Sequence, residues 1–191
     1  MSRGVVRSCL ELVKTTVFAR ILFPDDYGLM ALAMLAIGLL ESFTSLGMEI
    51  KIQSDEEDDP GRLEVYWTLR VLRGLLLFCF AWTAGGFLAE VYARPELKLI
   101  VRFIGLSFIF DGFTSFGREI CQRKMKFGRV ACIDTLCYAV VVGAGLVFLF
   151  FNRDYWALAF YSVFSSFCMM VSSFALVPWR PRFRLQGHIL K

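Results

Sequence analysis

Two segments in the second half of the chain, 127–151 and 155–177, are 25 and 23 residues long, and the only charged side chains in either are Arg129 and Asp134. A bilayer core of about 30 Å is crossed by a helix of ~20 mostly apolar residues, so each segment is long enough to span it. A soluble chain of 191 residues would form one domain with one core. Such a core could not hide these runs as well as the rest of a sequence that is 57% apolar, holds 20 phenylalanines and has a mean hydropathy of +0.59. The same balance excludes a disordered chain, and a net charge of only +4 excludes a basic nucleic-acid module, so no nucleic acid is expected as a partner. The six cysteines form no CxxC pair and fit neither a disulfide framework nor zinc-ligand spacing, so no metal or cofactor is expected.

The sequence therefore predicts an all-α membrane protein, because unbroken apolar runs without alternation favour helices over a barrel. Six spans are expected, at about 4–23, 27–48, 63–92, 97–117, 127–151 and 155–177, with a basic segment 179–191 after them. The first is interrupted by Arg7, Glu11, Lys14 and Arg20, yet has no compact apolar stretch and cleavage site of a secretory signal. Six spans put both termini on one side. Thirteen Lys and Arg residues fall on that side against three (Arg94, Lys98, Arg153) on the other, which places both termini in the cytosol. The acidic run 55–59 lies in the second connection, where it is read as a solvated loop in preference to a divalent-ion site.

Ionisable residues inside spans are costly and usually face a bundle interior or a wet cavity. At about 100° per residue, Arg7, Glu11 and Lys14 share one face of the first span, and Gly38, Glu41, Thr44 and Ser45 one face of the second. Tyr66, Arg70, Arg73 and Gly74 share a face of the third, continued by Leu77, Ala81, Ala84 and Gly85, small residues that suit close packing. Ser107, Asp111, Thr114, Ser115 and Arg118 line up on the fourth. With the deduced orientation, Glu11, Glu41, Arg70, Arg73, Asp111 and Asp134 lie in the cytosolic half and Lys14 near the midplane. The expectation is a bundle sealed outside with a polar vestibule opening inward. Interhelical salt bridges are the competing reading, and Arg7, Arg20 and Arg102, near span ends, are read as snorkelling to the interface. Arg70 and Arg73, one turn apart, could clamp a phosphate or pyrophosphate, which makes an anionic lipid head group the natural ligand. Lys14, Glu41, Asp111 and Asp134 complete the candidate substrate-binding set.

Three stretches resemble bacterial polysaccharide flippases of the multidrug, oligosaccharidyl-lipid and polysaccharide exporter superfamily. The run Ala19-Arg20-Ile21-Leu22-Phe23-Pro24-Asp25-Asp26-Tyr27-Gly28 resembles their first-loop signature, approximately Ala-Arg-x-Leu-Gly-Pro-x-x-Tyr-Gly, with Arg20, Pro24, Asp25, Tyr27 and Gly28 as the motif residues. Phe23 replaces the usual glycine. Ser45-Leu46-Gly47-Met48 with Ile50 and Gln53 resembles the end of their second helix, and Arg123-Lys124-Met125-Lys126-Phe127 their basic loop before the fifth. Locally, Pro24 and Gly28 are expected to bracket a tight turn and Asp25 to cap the second helix.

The resemblance implies half of a two-lobe exporter fold, the N-terminal lobe, with 179–191 resembling the linker toward a C-terminal lobe missing from the sequence. A partial sequence or truncated product is expected on that ground. It also implies a multi-pass protein of the bacterial inner membrane that flips polyprenyl-diphosphate-linked oligosaccharide by alternating access. Its partners would be membrane lipid, the lipid-linked oligosaccharide, the second lobe and glycan assembly enzymes. Drug or cation extrusion within the superfamily should favour carboxylates without paired arginines. A membrane enzyme acting on lipid-linked sugars would need a nucleophile–base pair or an acidic metal motif within the spans. The only histidine, His188, lies in the polar tail, so the chain is read as not an enzyme.

Overall fold

A computed structural model of the chain describes residues 2–45, 60–123, 125 and 127–176. Among these the fold is all-helical. The helices are α1 (Ser2–Ile21), α2 (Pro24–Ser45), α3 (Pro60–Val91), α4 (Glu96–Phe113), the short α5 (Gly117–Arg123), α6 (Phe127–Phe151) and α7 (Trp156–Leu176). Three of them are long and apolar enough to cross a membrane, over Glu64–Val91, Gly128–Phe151 and Trp156–Leu176. The helices of the other three expected spans carry charged residues too. Arg7, Glu11, Lys14 and Arg20 lie on α1, Asp25, Asp26 and Glu41 on α2, and Glu96, Lys98, Arg102 and Asp111 on α4.

Large apolar side chains cover the outside of α3 and α6, Leu76 and Phe80 on one, Leu136 and Phe150 on the other. Water would reject such a surface. The chain is a membrane-embedded protein.

Local chemistry sets the helix ends. The break between α1 and α2 is confined to Leu22 and Phe23. Pro24 opens α2, where its missing N–H is no loss. The Phe23 N–H donates to Asp26 Oδ2 (3.3 Å), the return half of a capping box. The cap is therefore Asp26, not Asp25 as expected, and Gly28 is already inside the helix, so Pro24 and Gly28 bracket no turn.

The α3–α4 connection is a Schellman closure. Arg94 N–H donates to Ala89 O (3.0 Å) and Ala93 N–H to Glu90 O (3.3 Å), with Ala93 left-handed at φ 51°. Glycine normally fills that position because a Cβ there costs about 1–2 kcal/mol. Ala93→Gly should therefore raise stability by about 0.5–1 kcal/mol after glycine's extra chain entropy. Unfolding midpoints in a denaturing detergent check this, with Ala93→Val expected to shift the other way.

The fourth expected span, 97–117, is interrupted. Helix α4 stops at Phe113 because Thr114 is extended (ψ 128°). Buried Ser115 then donates its N–H to Ser173 Oγ (2.9 Å) and accepts the Gly117 N–H on its own Oγ (3.1 Å), which starts α5 in a new direction.

Helix α4 is the centre of the bundle, packing against α2, α3 and α7, while α6 joins α7 to α1. Ile100, Val101 and Ile104 of α4 are almost fully buried against Leu77 and Ala81 of α3 and Ala33 of α2. This placement explains how α4 carries Asp111 inside the bundle, bonded from Ser166 of α7. A helix surrounded by protein can turn its charges toward neighbours instead of lipid.

The α3–α4 contact is the tightest. A Cβ on Gly74 would strike the Phe108 carbonyl oxygen, and one on Gly112 would lie 3.2 Å from Arg70 O. Further along, a Cβ on Gly85 would lie 3.1 Å from Lys98 O, and Gly105 faces Ala81. The small-residue stripe on the third span is thus a backbone-to-backbone seam.

Candidate functional site

The Gly74–Gly112 crossing brings two backbones together with no side chain over them, and a polar cavity of about 80 Å³ opens beside it. Glu41 from α2, Arg70 and Arg73 from α3, and Asp111 from α4 line it, with Leu77 and Phe108 as its apolar wall. Because a water needs roughly 10–15 Å³ of such space, the cavity has room for several waters or one anionic group.

The arginines are held from different sides. Arg73 Nη2 donates to the Glu41 main-chain carbonyl (3.3 Å), which ties α3 to α2, while its buried Nε has no hydrogen-bond partner. A buried guanidinium N–H without an acceptor costs free energy that an incoming oxygen would return. Arg70 lies over the Phe116 ring (5.5 Å from Cζ to the centroid), which steers the guanidinium. Asp111 Oδ2 accepts from Ser166 Oγ of α7 (3.4 Å). Two cations and two carboxylates from three helices thus surround one pocket, with α7 steadying the carboxylate on α4.

The other two candidates lie elsewhere. Lys14 lines a larger cavity of about 350 Å³ between α1, α2 and α7, together with motif residue Tyr27 and with Tyr161. There Lys14 pairs with Glu11 Oε1 (3.4 Å) one turn away and sits over the Tyr161 ring (5.0 Å). Asp134 on α6 forms an ion pair with Arg118 of α5, whose Nη2 also contacts Met169 Sδ (3.3 Å). The single vestibule expected from the sequence is therefore divided. Four residues share one cavity, Lys14 lines another, and Asp134 is spent on an ion pair. The physical reason is that α1 docks on α6 and not beside α3, and that the break at Thr114 swings Arg118 off the Asp111 face.

Sequence reasoning missed Ser166, Phe116 and Gly112. A serine within an uncharged apolar run and a glycine next to an intramembrane aspartate were the available signals. The acidic run 55–59 and the tail 179–191 lie outside the described residues.

Comparison with known proteins follows the same direction. The profile of a family described as polysaccharide biosynthesis protein matches residues 17–191. The chain is similar to the lipopolysaccharide biosynthesis protein WzxC of Escherichia coli (strain K12), 23% identical over 150 residues. That stretch covers 78% of this chain and 30% of WzxC, so the chain spans less than a third of that relative's length. No solved structure matches it.

Proposed function

Since the chain belongs to the polysaccharide biosynthesis protein family, we propose that it forms a six-span lobe of a transporter that flips polyprenyl-diphosphate-linked oligosaccharide across the bacterial inner membrane. The observation that carries this reading is the convergence of Arg70 and Arg73 with Glu41 and Asp111 on one intramembrane cavity. Charges in that position mark a substrate or ion pathway. Two arginines one turn apart present planar forks that suit the oxygens of a diphosphate. In this reading Arg70 and Arg73 take the diphosphate, and Glu41 and Asp111 take a sugar hydroxyl or a coupling cation.

Lys14, in its own cavity, and Asp134, in its ion pair, are assigned a supporting role in holding α1 and α6. The 80 Å³ pocket is too small for an oligosaccharide, so the glycan itself would occupy the space between this lobe and a second one, where repeat-built transporters bind. Both termini would face the cytosol, the prenyl chain would stay in lipid, and rocking of the lobes would expose the head group on the far side.

The paired arginines weigh against drug or cation extrusion, where carboxylates alone would serve. A lipid-linked-sugar enzyme would alter its substrate, and this distinction makes the test. Proteoliposomes holding the transporter and a fluorescent lipid-linked sugar should move the label across the bilayer chemically unchanged. A product of altered mass would mean catalysis, and no movement would remove the flippase reading.

A further inference from the structure

The end of the bundle opposite the polar cavity carries a second arrangement of charge. Lys98 and Arg102 stand one turn apart on α4. Arg102 lies over the Trp82 indole (4.5 Å to the centroid) and donates Nε–H to the Trp82 carbonyl oxygen (3.2 Å). No salt bridge from a described residue reaches either cation. Trp82 is half-exposed and belongs to α3, one of the membrane-crossing helices, nine residues before its end at Val91. At 1.5 Å per residue, that places it about 13 Å below the end of α3.

Directly above, one turn from Trp82 and from Arg102, a notch of about 340 Å³ opens at the α3–α4 connection, lined by Gly86, Lys98 and Glu90 among others. From the lipid side outward the charges run guanidinium, ammonium, carboxylate.

A cation beside exposed apolar side chains requires an anion, and Arg102, fixed by its stack and its Nε bond, keeps both Nη groups as a fork suited to phosphate oxygens. The carboxylate further out calls for a positive group beyond that phosphate. A phospholipid has this order built in, with the phosphodiester next to the acyl chains and the head-group amine outside.

We propose that the Arg102–Trp82 pair and the notch above it bind one ethanolamine phospholipid. Arg102 and Lys98 hold its phosphate, Glu90 accepts from its ammonium, and its acyl chains run down past half-exposed Trp82. Choline would fill the notch without an N–H to donate, and a glycerol head group would bring no positive charge to Glu90. The site is independent of the diphosphate reading of the inner cavity.

The test uses the purified chain in liposomes of choline phospholipid, doped in turn with equal amounts of ethanolamine, glycerol or choline phospholipid brominated on the acyl chains. Trp82 fluorescence is taken as the difference between wild type and Trp82→Phe. We expect the brominated ethanolamine lipid to quench Trp82 at least threefold more strongly than the other two. Arg102→Gln should abolish that excess, and Glu90→Gln should make ethanolamine and choline lipids equivalent. Free inorganic phosphate should not compete. Equal quenching by all three lipids in the otherwise unaltered chain, or a preference for the glycerol lipid, overturns the proposal.

Discussion

Replacing both Arg70 and Arg73 with glutamine should lower transport of lipid-linked sugar at least tenfold while leaving the helical fold in place. Hydrogen bonds to charged groups contribute about 1.5–3 kcal/mol each, and about 1.4 kcal/mol is already a factor of ten. The fold should tolerate the change because glutamine can still donate to the Glu41 carbonyl, and Asp111 keeps its bond from Ser166. Arg70→Lys with Arg73→Lys separates charge from shape. Lysine restores the charge without the fork, so an intermediate rate is expected if planar recognition matters and a wild-type rate if only charge does. Transport by the double glutamine variant at the wild-type rate would remove both residues from the mechanism.

The second large effect is on assembly. Gly74→Leu should destabilise the bundle by about 3 kcal/mol or more, at the upper end of the cost of overpacking a filled core. The reason is what the new side chain meets. Even its Cβ would strike the Phe108 carbonyl oxygen, and Gly112 Cα would lie 3.1 Å from it. Both are backbone on a facing helix and cannot rotate aside. Relief requires α3 and α4 to separate, which would loosen the seam at Ala81–Gly105 and Gly85–Lys98 and open the polar cavity. Gly143→Leu on α6 is the control, because nothing lies within 4 Å of a Cβ there. It should be neutral or mildly stabilising, since leucine is a better helix former than glycine by under about 1 kcal/mol. Unfolding in mixed micelles reads both, and equal midpoints for the two variants would mean that the seam is not close-packed.

The helices were legible where composition alone fixes them. The expected 127–151 coincides with α6, and 63–92 and 155–177 fall within three residues of α3 and α7, because an apolar run ends where polar residues begin. Legibility failed where a tertiary contact decides. Nothing local in Phe113-Thr114-Ser115 announces that Ser115 will bond Ser173 of α7 and end α4 there. The first turn of α2 shows a smaller version of this. Adjacent aspartates are equivalent on paper, but only Asp26 reaches back to the Phe23 N–H.

The candidate site divides in the same way. Helical periodicity put Arg70, Arg73 and Gly74 on one face and Asp111 on another, and the structure brings those faces together. Periodicity does not say which helices adjoin. Lys14, on the charged face of the first span and near the midplane, was grouped with them, yet α1 docks on α6, so Lys14 meets Tyr161 instead. Asp134 had the right depth and a different neighbour, Arg118.

Binding of the head group isolates the diphosphate claim from transport. The measurement is the affinity of the detergent-purified protein for a polyprenyl diphosphate and for the corresponding polyprenyl alcohol, in the wild type and in the Arg70→Gln, Arg73→Gln variant. If the cavity between α2, α3 and α4 receives the diphosphate, the wild type binds the diphosphate at least tenfold more tightly than the alcohol, and the variant binds both alike. Equal affinity of the wild type for the two lipids, or a preference for the diphosphate that survives in the variant, contradicts it.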